Sequence, residues 1–80
     1  MTTSRFDTPR GAAVTTKAAG STRSDETSRY IVKVESVDLI PVGMVAEMTD
    51  GRWRSIGEMD IGIHDSMEEA VVEVAKQSRR

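Results

Sequence analysis

The chain contains no cysteine. This removes disulfides, thiolate metal sites and thiol nucleophiles together, and it suits a reducing compartment. Aromatic residues are almost absent as well: Phe6, Tyr30 and Trp53 are the whole set. A core made from such a chain has to rely on Val, Ile, Met and Ala. No apolar run approaches the roughly 20 residues that span a bilayer. The first twenty residues, "MTTSRFDTPRGAAVTTKAAG", lack the apolar stretch of a secretory signal. The expectation is a soluble, cytoplasmic protein with no membrane association. With 80 residues there is room for one domain and little stability to spare.

What is present divides into two segments. Residues 1–29 are rich in Ser, Thr, Ala, Gly and Arg, with five basic residues against three acids. Apart from Met1, their only large apolar side chains are Phe6 and Val14. Such a segment offers little apolar surface to offset its ordering entropy, so it reads as a flexible arm. Residues 30–80 carry six basic and ten acidic residues and read as the folded domain.

"YIVKVESV" (residues 30–37) alternates as a strand, with Tyr30, Val32 and Val34 on one face and Ile31, Lys33, Glu35 and Val37 on the other. "DLIPVG" interrupts it, because Pro41 lacks a donor and Gly43 permits positive φ. Asp50-Gly51 then signals a two-residue hairpin turn. That register sets Met48 opposite Trp53, Glu47 opposite Arg54, Ala46 opposite Ser55, Val45 opposite Ile56 and Met44 opposite Gly57. Met44, Ala46, Met48 and Trp53 would share the core face, and Glu47 and Arg54 would pair on the other. "MDIGIHD" (residues 59–65) either extends the third strand past a bulge or forms a fourth.

Ser66 opens a helix. "SMEE" has the S-x-x-E capping spacing, and Glu68 and Glu69 suit the positive end of the helix dipole. Met67, Ala70, Val71, Val74 and Ala75 form one apolar stripe, and Arg79 and Arg80 suit the C-terminal end. The expected fold is α+β: a three- to four-stranded antiparallel sheet, a β-meander with the Asp50-Gly51 hairpin, packed by one C-terminal α-helix and preceded by a flexible N-terminal arm. Its open face would carry Lys33, Glu35, Glu47, Arg52, Arg54 and Ile56.

Catalytic patterns are lacking. His64 is the only histidine, and adjacent His64-Asp65-Ser66 point different ways on an extended stretch; Asp65 or Ser66 reads better as a helix cap. Glu58, Asp60, His64 and Asp65 match no metal-loop spacing, and Glu68, Glu69 and Glu73 read as a solvated helix face. No phosphate-binding glycine loop occurs. No enzyme activity, metal or cofactor is expected.

"VAEMTDGRWRSIGEMD" followed by "SMEEA" resembles the layout of the plant Apetala-type DNA-binding domain and of the phage-integrase arm-binding domain. Both read DNA with the open sheet face, so the resemblance implies Arg52, Arg54 and Lys33 as contacts. "YIVKVE" with "DSMEEAVVEVAKQ" resembles HicB-type antitoxins, whose small sheet and helix neutralise a toxin. A strand pattern and a helix cap assign no family. Charge weighs against nucleic acid, because affinity comes largely from phosphate neutralisation and the expected domain is acidic. The expectation is a small non-enzymatic interaction module, an accessory subunit, adaptor or inhibitor of a larger protein. Its contacts would be Ile31, Lys33, Glu47, Arg52, Arg54 and Ile56 on the sheet, with Phe6 and Arg10 in the arm. An unpaired outer strand would also allow strand addition. The alternative is a nucleic-acid binder, antitoxin or repressor using the same face.

Overall fold

The computed structural model describes residues 3–18, 23–57 and 60–77. Glu58, Met59, Arg79 and Arg80, and the side chains of Asp60 and Ile61, lie outside what is described. The architecture is α+β, an antiparallel sheet packed by one C-terminal helix. Strands β1 (Thr3–Thr8), β2 (Gly11–Lys17), β3 (Glu26–Val34), β4 (Pro41–Met48), β5 (Trp53–Ile56) and β6 (Asp60–His64) lie in chain order, each antiparallel to the next. Helix α1 (Met67–Gln77) crosses one face and touches β1, β3, β4, β5 and β6.

Six described strands replace the expected three to four. Two of the additional strands arise in the segment read as an arm, and β3 runs through the boundary expected at residue 30. Pro9 and Arg10 turn the chain between β1 and β2, where the fixed φ of proline fits. The Thr8 hydroxyl donates to the Gly11 carbonyl and accepts the Arg10 N–H. Gly11 supplies the positive φ, at 107°. What buries these strands is small: Ala13 and Thr15 are fully enclosed, and Phe6 packs against the same core. Short side chains suffice because Phe6 lies opposite Ala13 and α1 reaches across to β1, which closes this side of the core.

The core is correspondingly Val and Ala. Ala13, Val32, Val34 and Val45 of the sheet meet Ala70, Val71, Val74 and Ala75 of α1. Tyr30, Trp53, Val42, Met67 and Phe6 close its edges. Tyr30 and Trp53 meet with ring centroids 5.8 Å apart and planes tilted by 43°. The alternation of Tyr30, Val32 and Val34 and the helix stripe thus appear as the sequence suggests. The Ser66 hydroxyl accepts the Glu69 N–H, while the Glu69 carboxylate reaches Asp65 N–H rather than that of Ser66. "MDIGIHD" contributes a separate strand, β6.

The β4–β5 hairpin differs from expectation by one residue. Its loop is Thr49-Asp50-Gly51, closed by Met48 N–H to Arg52 O and Gly51 N–H to Met48 O. Gly51 takes a φ of 90°, and Asp50 Oδ1 accepts the Arg52 N–H. A three-residue loop with glycine in the left-handed position uses the same Asp-Gly pair as a two-residue turn. The slip flips faces. Glu47 now lies opposite Trp53, Val45 opposite Ser55, Ala46 opposite Arg54 and Met44 opposite Ile56. Val45 therefore points at the helix, while Met44 and Ala46 move to the other face.

The β3–β4 connection also departs from expectation. Glu35–Val37 forms one 3-10 turn, and the positive φ falls on Asp38 (55°) and Leu39 (59°), not on Gly43. Gly43 lies inside β4, where it is needed for space. A Cβ there would stand 2.6 Å from the Ile56 carbonyl oxygen and 2.7 Å from Val74 Cγ1. We expect Gly43→Ala to lose about 1–3 kcal/mol by overpacking, read as a lower urea midpoint at unchanged m-value.

Candidate functional site

The sheet face away from α1 is assembled by cross-strand pairing. Ile31 pairs with Met44, and Met44 with Ile56, so three apolar side chains form a row across β3, β4 and β5. All three are partly exposed. On one flank, Val14 of β2 lies opposite Lys33. On the other, Arg54 lies opposite Ile63 of β6, whose side chain is half exposed at 50%. The apolar groups thus run as a diagonal stripe, Val14–Ile31–Met44–Ile56–Ile63. Leu39 and Ile40 are exposed in the nearby β3–β4 connection.

Beside the stripe lies an ion cluster that sequence reading did not find. A bulge between Glu26 and Ser28 sets Glu26 opposite Met48, on the side of Arg29 and Arg54. The Glu26 side chain has no exposure, and Arg54 only 15%. Arg29 Nε donates to Glu26 Oε1 at 2.7 Å, and the Arg23 N–H donates to the same oxygen at 3.2 Å. Arg54 Nη1 stands 3.7 Å from Glu26 Oε2, and its Nη2 3.5 Å from Asp25 Oδ2. Between these groups Ala46 is fully covered. Burial pushes the Glu26 carboxyl up. The Arg29 hydrogen bond, the Arg23 N–H and the charges of Arg29 and Arg54 outweigh it and hold the group below its ordinary value. The spacing Glu26…Arg29…Arg54 carries no pattern in the sequence, because only the bulge and the hairpin bring it together.

The residues expected to bind a partner are therefore spread out. Ile31, Lys33, Arg54 and Ile56 share the open face. Arg52 joins them at the hairpin end, since its backbone pairs with Met48 and it alternates with Arg54. Glu47 does not belong there, because the hairpin slip turns it to the helix side opposite Trp53. Glu35 leaves the strand and pairs with Arg5 at 2.7 Å. Phe6 packs against the core, and Arg10 sits in the β1–β2 turn. Lys33 and Arg52 have no ion-pair partner among the described residues.

His64 belongs to strand β6. It ends β6 opposite Trp53, with Nε2 3.0 Å from Ser55 Oγ. Ser55 is fully buried, and its hydroxyl donates to the Gly62 carbonyl at 3.2 Å. With that hydrogen committed, Nε2–H is the donor to Ser55 Oγ. A nucleophilic serine needs the opposite polarity and access to substrate. The pair instead ties β5 to β6. Among the described residues, no three His, Asp or Glu side chains gather as a metal site. No described helix is long and apolar enough to cross a membrane.

We expect Arg29→Met to lose about 3 kcal/mol at neutral pH, because a buried carboxylate loses its main partner. The pH dependence follows from the lowered Glu26 value. Its contribution is fully present above the ordinary 4.5 and is lost as pH falls through the native value. Urea unfolding from neutral pH down through the carboxylate range should show this decline in the native chain and a weaker one in Glu26→Gln. Comparison of the chain with protein-family models, with curated proteins and with solved structures yields no match, so its functional reading rests on this geometry alone.

Proposed function

We propose that this chain is a small non-enzymatic interaction module that docks on a larger protein through the open face of its sheet. One observation carries the reading: a continuous apolar stripe, Val14–Ile31–Met44–Ile56–Ile63, lies partly exposed on the face that α1 leaves uncovered. Isolated exposed apolar residues need no explanation, but a contiguous stripe rimmed by charge marks an interaction surface. The phosphate-binding alternative has less support. Arg54, one of its three nominated cations, is engaged by Asp25 and Glu26 and is largely buried. Lys33 and Arg52 remain, in a chain of net charge −2. The counterion release that drives nucleic-acid binding scales with the number of phosphates neutralised, and two cations give a weak term.

The test is affinity capture from native lysate with the full tagged chain, with and without nuclease. Two variants accompany it: Ile63→Asp on the open face and Glu68→Lys on the exposed side of α1. Both residues are exposed, so each variant should keep the native circular dichroism spectrum. We expect a stoichiometric protein partner that survives nuclease, is lost with Ile63→Asp and is kept with Glu68→Lys. Loss on nuclease treatment, or capture indifferent to Ile63→Asp, would remove the open face as the protein-docking site.

A further inference from the structure

Resting on that docking reading, we infer that the partner element is an amphipathic α-helix that lies across the strands on the open face, with acidic residues flanking its apolar stripe.

The first support is the direction of the surface. The exposed apolar groups come from five different strands, one from each of β2 to β6. They extend across the strands rather than along one. Four strand spacings amount to roughly 20 Å. That is the length of roughly 13 helical residues. An extended peptide added at an edge would satisfy backbone groups of β1 or β6 and leave Ile31, Met44 and Ile56 untouched. A helix with apolar residues at i, i+3, i+4 and i+7 meets all of them. It would also complete a helix–sheet–helix arrangement, with α1 covering the other face.

The second support is charge. On this face Glu26 and Asp25 are used by Arg29 and Arg54 and Glu35 by Arg5, which leaves Asp7, on the outer strand β1, without an ion-pair partner among the described residues. Of the described cations on this face, Lys33, on one flank of the stripe, and Arg52, at the hairpin end of the other, have no ion-pair partner. A partner's Asp or Glu on either side of its apolar stripe would meet them. A second copy of this chain fits less well, because on its open face the described acid left to meet Lys33 and Arg52 is Asp7, on the outer strand.

The test uses the full chain as bait for a displayed library of random peptides long enough for roughly 15 helical residues. Enriched peptides should carry apolar residues at i, i+3 or i+4 and i+7, flanked by Asp or Glu. A synthetic copy should become helical on binding, by circular dichroism. It should bind about tenfold or more weakly to the Lys33→Glu/Arg52→Glu double variant, and lose binding to Ile63→Asp. Helical peptides flanked by Lys or Arg that still need Ile63 would overturn the charge assignment and leave the docking face standing. Strand-patterned peptides indifferent to Ile63→Asp would overturn the helix and point to an edge. Absence of any enriched peptide would also overturn the helix, and the lysate capture then decides the docking reading by itself.

Discussion

Everything in this fold depends on how closely α1 approaches β4. A core of valine and alanine gives each residue little apolar area to bury, so the layers must come close for their contacts to matter. At Gly43 the approach leaves no room for a side chain, because Val74 and the Ile56 carbonyl occupy the space a Cβ would need. Ala70 and Ala75 on the helix, and Ala13 on the sheet, keep the remaining contacts short. The three aromatics serve at the margin: Phe6, Tyr30 and Trp53 seal the edges of a core too thin to hold them inside.

That commitment of one face to the helix gives the other face its character. The side chains that alternate away from Val32, Val45 and Ser55 are Ile31, Met44 and Arg54; the two apolar ones stay partly exposed, and Arg54 is held down by Asp25 and Glu26. Charge there is handled in two ways. Glu26 and Asp25 hold Arg29 and Arg54 against the sheet, where they shield Ala46 and lose their value as outward-facing cations. Lys33 and Arg52 stay available at the margins. Under the docking reading we propose, a face with an apolar centre, internally neutralised neighbours and a few outward cations meets a protein surface rather than a phosphate backbone, which rewards many cations at once.

The Ser55–His64 pair shows how proximity can mislead. A serine hydroxyl 3.0 Å from an imidazole nitrogen resembles half of a catalytic triad. The direction of the hydrogens decides otherwise, since the hydroxyl donates to Gly62 and the ring donates to the hydroxyl. Residues nine apart in sequence are joined because β5 and β6 are neighbours, and the bond holds an edge strand in register.

Local rules made part of this structure legible. The period of two in Tyr30–Val32–Val34, the helix stripe from Met67 to Ala75 and the Ser66 cap each follow from backbone geometry within a few residues, and the sequence alone determined them. The α+β class followed from those elements together. Tertiary structure decided the rest. Residues 3–17 look too polar to order by themselves, and they become strands because small side chains such as Ala13 and Thr15 are enough once β1, with Phe6, packs against α1. Asp50-Gly51 serves a two- or a three-residue loop equally well, and the register adopted turns Val45, rather than Met44 and Ala46, toward α1. Glu26, Arg29 and Arg54 became one cluster only through a bulge and that register. The physical reason is common to all three: local preferences here differ by less than the burial energy that the assembled sheet and helix supply.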